Sequence, residues 1–207
     1  MSKQKYPLAC LIMASGAARR FGSNKLLAKF NGQPLLAYIL RLTASLTAQR
    51  LVITRSAAIQ DLCRQLAVPC ICHHQPYQSD TVRIGIDYVT ANAGPKNIKG
   101  LLFCVADQPL LTEASLCRLC EAFLQDSTRI CRLAHGDTVG NPIIFPVDLA
   151  EELKKLPQNK GGGYLAKKYP ERVRLVQVQD EYELYDIDTQ NDLEQLEAAL
   201  NSDNESP

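Results

Sequence analysis

Short apolar runs alternate with stretches of helical periodicity along most of the chain, and no other feature of the sequence restricts the fold as much. Leu8–Met13, Leu51–Thr54, Val68–Cys72 and Leu101–Ala106 each read as strands, the last a strongly apolar central one. Between them lie amphipathic segments. A helix following Pro34 puts Leu35, Ile39, Leu42 and Leu46 on one face, and Ile59–Ala67 reads as a second helix. Ser79–Val89 aligns Val82, Gly85, Ile86 and Val89 along one side. Thr112 is positioned to cap a helix whose buried stripe is Leu116, Leu119, Cys120 and Phe123.

The second half is less regular. Arg129–Ala134 and Pro142–Phe145 read as strands around a turn at Gly136–Gly140, Leu149–Leu156 as a helix, and Lys160–Gly163 as a glycine-rich break. Val173–Val178 is a further strand. Thr189 and Asp192 form a helix-start box ahead of Leu193, Leu196 and Leu200. A βαβ series of this kind predicts an α/β, three-layer Rossmann-like fold, with a mostly parallel sheet and helices on both faces. There is no internal repeat and no linker, so a single domain is expected over residues 1–200, with a disordered tail at 201–207.

Charge and apolar-run length exclude whole classes of function. Lys plus Arg number 23 and Asp plus Glu 22, a net charge of +1, without the clustered basic excess of a nucleic-acid track. The strongest cluster, Arg19, Arg20 and Lys25, suits a small anion. No run approaches the roughly 18 apolar residues of a membrane span. The basic start and the seven apolar residues after it are too short for a signal peptide, so a cytoplasmic location is expected. The eight cysteines are then expected to be reduced and structural. Cys117-x-x-Cys120 falls in a helical pattern with no second pair at zinc-ribbon spacing.

Three constellations carry chemistry. Ala14-Ser15-Gly16, running on through Arg20 to Lys25, leaves the carboxyl end of the first strand, where open α/β sheets bind ligands. Gly16 and its small neighbours let backbone N–H groups approach an anion, and Arg20 and Lys25 add positive charge. The segment is neither G-x-G-x-x-G nor G-K-[ST], which argues against a dinucleotide-dependent oxidoreductase. Asp107, in Val105-Ala106-Asp107-Gln108-Pro109, ends another apolar strand and is suited to act as a hard oxygen ligand for Mg2+. Asp186-Ile187-Asp188-Thr189 puts two carboxylates on one side if extended. Carboxylates from two segments facing a Gly/Arg/Lys loop make a metal-plus-polyphosphate site, with Arg20, Lys25 and Mg2+ offsetting the roughly −4 charge of a nucleoside triphosphate. His73-His74 follows a strand and could approach the nucleotide site, but a pair of loop histidines is more often solvated, and the pair reads so here. Gly161-Gly162-Gly163 reads either as a phosphate cradle or as a flexible turn.

These residues resemble the MobA-like nucleotidyltransferases, most closely the molybdenum cofactor cytidylyltransferase branch. The family's L-A-(A/G)-G-x-x-x-R-(M/F)-G-x-x-K stands here as Ile12-Met13-Ala14-Ser15-Gly16 through Arg20-Phe21-Gly22 and Lys25. Its D-(Q/M)-P stands as Asp107-Gln108-Pro109, G-(H/N)-P-x-x-F as Gly140-Asn141-Pro142-Ile143-Ile144-Phe145, and D-I-D-T-P-E-D-L as Asp186 to Leu193. Of the G-x-S-x-S-(L/I)-x-x-G element, Ser79, Thr81 and Gly85 remain, with Tyr77 in place of the first Gly. Ser15 replaces an Ala or Gly, and the usual G-D-x-G near Asn159-Lys160-Gly161 is missing.

The resemblance implies transfer of CMP from CTP to molybdopterin with release of pyrophosphate. It implies catalytic roles for Arg20, Lys25 and Asp107. Nucleotide would be bound by Ala14, Ser15, Gly16, Arg20, Lys25, Ser79 and Thr81, and Mg2+ by Asp107, Asp186 and Asp188. Asn141, Pro142, Asp186 and Asp188 would bind the acceptor. A molybdenum hydroxylase is the partner expected to receive the product. The alternatives are a guanylyltransferase or another NTP transferase of the same fold, and a non-catalytic carrier of the finished cofactor.

Overall fold

The computed structural model describes residues 5–16, 21–22, 24–92 and 98–204, the last six as backbone only. Nine strands and seven α-helices follow one another among these residues. The order is β1 (Tyr6–Ala14), β2 (Lys29–Phe30), β3 (Gln33–Pro34), α1 (Leu35–Thr43), β4 (Thr47–Thr54), α2 (Ala57–Gln65), β5 (Cys70–Cys72) and α3 (Gln78–Asn92). Then come β6 (Gly100–Val105), α4 (Glu113–Gln125), β7 (Ile130–His135), β8 (Thr138–Pro146), α5 (Ala150–Lys154), α6 (Gly162–Lys168), β9 (Val173–Gln177) and α7 (Gln190–Asn204).

Seven strands form one sheet in the order β5-β4-β1-β6-β8-β7-β9, while β2 and β3 make a separate hairpin. Only β8 runs against its neighbours; β1, β4, β5 and β6 are parallel, and β7 is parallel to β9. The α/β, mostly parallel architecture is therefore as the alternating pattern predicts. β1 shows why. Its side chains alternate between two cores: Leu8, Cys10, Ile12 and Ala14 pack on one face, Ala9 and Leu11 on the other. A strand buried on both faces must be apolar at every position, which is the composition of a central parallel strand. The first core takes Leu36 and Ile39 from α1, Ile59 from α2, and Leu116 and Phe123 from α4. The second takes Val82 and Ile86 from α3, Leu153 from α5 and Leu165 from α6. Gly85 lets α3 approach closely, since a Cβ there would lie 3.0 Å from Ile53 Cδ1 and 3.2 Å from Leu11.

Several boundaries differ from the sequence reading. The Asn31-Gly32 turn of the β2–β3 hairpin has positive φ at both residues, 47° and 79°, as a two-residue type I′ turn requires. The glycine-rich break at Lys160–Gly163 ends inside α6, which starts at Gly162. The expected helix at Leu149–Leu156 is a 3-10 turn (Val147–Leu149) followed by the shorter α5. At the C-terminus, Asn201 to Asn204 continue α7 where a disordered tail was expected. Thr112 caps α4 as expected, accepting from the Ser115 N–H at 3.2 Å. The Thr189–Asp192 box also forms, with reciprocal bonds of 2.7 and 3.1 Å. No described helix is long and apolar enough to cross a membrane.

Candidate functional site

The chain leaves β1 towards β4 and β5 on one side, then returns to β6 on the other, so the order reverses at β1. At such a switch point the loops after adjacent strands part, and a crevice opens at the carboxyl ends. Ser15 and Gly16 after β1, Arg55 after β4, and Asp107 beyond β6 all line one cavity of about 540 Å3 there. Because β8 runs antiparallel, its first half lies at this same rim, and Asn141 lines an adjoining cavity of about 470 Å3. Met13, Gln78, Val105 and Asn159 form a wall common to both.

Lys25 organises the first cavity. Its ammonium lies 2.6 Å from Asp107 Oδ2, 3.1 Å from Asp188 Oδ1, and donates to the Ile187 carbonyl at 2.8 Å. Burial opposes the Lys25 charge, but the Asp107 and Asp188 carboxylates outweigh it and raise its pKa above the usual lysine value. The Asp186–Asp188 segment is held beside β6 by a backbone bond from Ile187 N–H to the Asp107 carbonyl, 3.0 Å. Ile187 itself is fully buried against Phe21, Phe30, Leu193 and Leu196, which fixes the segment from behind. Asp186 has its carboxyl pushed up to about 6, first by loss of water around it and then by the Asp107 charge.

Asp107 Oδ1 is buried with no hydrogen-bond partner among the described residues. An orphaned carboxylate oxygen is costly unless a cation completes it. Among the described residues no three His, Cys, Asp or Glu side chains gather closely enough to cage a metal. Asp107 and Asp188 are thus suited to an ion that takes most of its ligands from water and phosphate, the habit of Mg2+.

The other end of the first cavity is built around Ser15. Its Oγ donates to the Ile53 carbonyl at 3.1 Å and lies 3.2 Å from His73 Nε2. Arg55 donates twice to the Ser15 carbonyl, at 2.9 and 2.6 Å, and once to the Pro76 carbonyl at 3.0 Å. Gly16, Tyr77 and Thr81 line this end.

Not every expected residue reaches a cavity. Ala14 is still part of β1, its carbonyl taken by Thr54 Oγ1 at 2.9 Å, and it lines neither cavity; nor do Ser79, Pro142 and Asp186. Arg20 lies outside the described residues. His73, expected to be a solvated loop residue, is instead buried, whereas His74 is exposed. The sequence reading missed Arg55 and Arg132, and it weighed His73 but favoured a solvated loop residue. Arg132 of β7 lines the second cavity with Lys160 and Lys167, and among the described residues no acidic side chain lines it. Two of the Arg132 guanidinium nitrogens donate to the Gly140 carbonyl, at 3.1 and 2.8 Å, and burial lowers its pKa. The eight cysteines are free thiols.

A parallel sheet with its carboxylates, lysine and small-residue loop at the switch point defines a nucleotide-handling α/β domain. Residues 10–173 match the model of the MobA-like NTP transferase domain, and the chain belongs to that family. No curated sequence matches it. Among solved structures it is similar to the Mycobacterium tuberculosis Rv0371c homologue from Mycobacterium sp. strain JC1, at TM-score 0.80 and 20% identity over 96% of this chain and 99% of that one. Rv0371c from M. tuberculosis H37Rv in complex with manganese gives 0.71 and 19%, over 93% and 98% of the two chains. CMP:2-keto-3-deoxy-manno-octonic acid synthetase complexed with CTP gives 0.70 and 11%, over 97% and 100%. At these identities the likeness is one of fold. The protein is an NTP transferase of the MobA-like fold.

Proposed function

We propose that the protein is a Mg2+-dependent cytidylyltransferase that moves CMP from CTP to the phosphate of molybdopterin. The observation that carries this reading is the Lys25–Asp107–Asp188 cluster, with its orphaned carboxylate oxygen, in a cavity that adjoins a second one lined by Arg132, Lys160 and Lys167. Asp107 and Asp188 would hold the divalent ion, which supplies charge neutralisation at the triphosphate. That one structural neighbour was solved with CTP and another with manganese supports the same chemistry. The four motifs in register support nucleotidyl transfer, and D-I-D-T at Asp186 to Thr189 supports cytidylyl over guanylyl transfer.

In the proposed reaction a phosphate oxygen of the acceptor forms a bond to the α-phosphorus, in line with the α–β bridging oxygen. That P–O bond breaks and pyrophosphate leaves with the electron pair. The nucleophile is already ionised, so no general base is needed, and catalysis rests on positioning and electrostatics. Lys25 neutralises charge on the triphosphate, Gly16 allows its close approach, and Asn141 and Arg132 face the acceptor. The charged residues described in the lining of the second cavity, Arg132, Lys160 and Lys167, are all cationic, which supports an anionic acceptor, and the finished cofactor would pass to a molybdenum hydroxylase.

Pure protein incubated with molybdopterin, Mg2+ and each labelled NTP tests the reading. Pyrophosphate release with CTP is expected. Release with GTP alone moves the assignment to guanylyl transfer, and no release with any nucleotide removes the enzyme reading.

A further inference from the structure

The mechanism leaves unused one buried titratable side chain that lies behind the first cavity, against Ser15 and Thr81 of its lining. His73 follows β5 directly and is 7% exposed. Its Nδ1 accepts the Gln75 backbone N–H at 3.2 Å, so that nitrogen carries no proton and the neutral ring holds its single proton on Nε2. Burial first, and then the Arg55 charge, keep the imidazole below its ordinary pKa and therefore neutral near pH 7.

Two hydroxyls compete for that one proton. Nε2 is 3.2 Å from Ser15 Oγ and 3.2 Å from Thr81 Oγ1. Ser15 already sends its own proton to the Ile53 carbonyl, so it meets His73 as an acceptor. Thr81 must do the same, because a protonated Nε2 has no lone pair to offer. The Thr81 hydroxyl proton then has no acceptor among the described residues, and Thr81 lines the cavity. Lys25, Asp107 and Asp188 occupy the phosphate end of this cavity, which leaves the Ser15–Thr81 end for the base.

We propose that His73 is a positioning residue for the nucleobase: by fixing the direction of hydrogen bonding at Ser15 and Thr81, it makes Thr81 a donor to an acceptor atom on the base. The cognate edge would be the 2-carbonyl or the unprotonated N3 of cytosine. This rests on the nucleotidyl-transfer reading and adds to it how the base end of the pocket is set. It also gives Ser15 a purpose. A hydroxyl where relatives carry Ala or Gly is tolerated because Ile53 and His73 satisfy it on both sides.

The test is a double-mutant cycle on binding of Mg–CTP, measured by isothermal titration calorimetry on the full chain. Thr81→Val and His73→Leu should each weaken binding roughly tenfold, the effect of one lost hydrogen bond. The double variant should be no weaker than either single by more than about twofold, because the two residues act through one bond. His73→Gln, whose amide N–H has a similar reach, should recover most of the affinity, which a purely space-filling role would not require. Factors that multiply towards 100-fold, or Leu and Gln variants that behave alike, overturn the proposal. Should His73→Leu not fold, a Thr81→Val protein that binds CTP as tightly as the parent overturns it alone. A parent protein that binds no NTP sinks the functional reading itself; a parent that binds normally with independent variants sinks only the role of His73.

Discussion

Replacing Lys25 by methionine tests the electrostatics of the site without any substrate. The ammonium has three protons, and the structure uses all three, on Asp107 Oδ2 at 2.6 Å, the Ile187 carbonyl at 2.8 Å and Asp188 Oδ1 at 3.1 Å. The Lys25 and Asp107 side chains are 10% and 18% exposed, while Asp188 is 41% exposed and retains water. Removing one partner of a fully buried pair costs about 3–5 kcal/mol, and an exposed pair about 0–1 kcal/mol. The Lys25–Asp107 pair lies nearer the buried limit, so Lys25→Met should cost about 2–3 kcal/mol, a large share of a total stability of about 5–15 kcal/mol. Urea unfolding at pH 8 in EDTA measures it. Most of the penalty is the stranded Asp107 charge, so adding Asp107→Asn to Lys25→Met should return at least about 1 kcal/mol. A single-variant cost below about 0.5 kcal/mol, or a double variant that costs the sum of the singles, refutes the reasoning. The same geometry bears on binding. With no spare proton, Lys25 reaches a triphosphate only by releasing or sharing a carboxylate.

Gly100→Ala would put a Cβ 2.5 Å from Cζ of the fully buried Phe123 ring, an overpacking that should cost about 1–3 kcal/mol in the same urea assay. Asp186, raised to about 6 by burial and the Asp107 charge, binds its proton more tightly folded than unfolded, where its pKa is about 3.9. Its contribution to stability is complete below pH of about 4 and is lost as pH rises through 6. Asp186→Asn should therefore change nothing at pH 4 and stabilise at pH 8 by about 1 kcal/mol, less than so large a shift gives in a dry site because the residue as a whole is exposed and its carboxyl is only partly stripped of water. Arg132→Gln should raise the acceptor KM about tenfold or more and leave the NTP KM unchanged in steady-state kinetics; an unchanged acceptor KM removes the anionic-acceptor role of the second cavity.

The sheet was legible because its information is local. A strand buried on both faces, such as Leu8–Ala14, must be apolar at every position, and the residue that first breaks the run marks the binding rim. Ser15 and Asp107 were found that way. The Asn31-Gly32 hairpin carried a local signal too, the dipeptide that tolerates two positive φ values, although the flanking strands are only two residues long. Arg55 and Arg132 were not legible, because nothing near them in sequence distinguishes them from surface polar residues, and His73, although it follows a strand, is not distinguished locally from a solvated loop histidine. Arg55 acquires its role from carbonyls 40 and 21 positions away, and His73 from a serine 58 positions back. Arg132 is read as functional only once β7 is known to flank an antiparallel β8 and to face the rim with Asn141.

The two adjoining cavities differ in net charge, and that difference orders the proposed reaction. In the first, the described charged residues are Lys25 and Arg55 against Asp107 and Asp188, two cations for two carboxylates, so among the described residues no net positive charge faces an entering triphosphate. A ligand of charge about −4 meets two carboxylates there, and Coulomb repulsion in a partly desolvated site disfavours it unless a divalent ion enters with it. The second cavity presents Arg132, Lys160 and Lys167 with no acid among the described residues of its lining, so an anionic acceptor is attracted without a metal. Dependence on Mg2+ should therefore belong to nucleotide binding, while acceptor binding should weaken with salt and be indifferent to chelation.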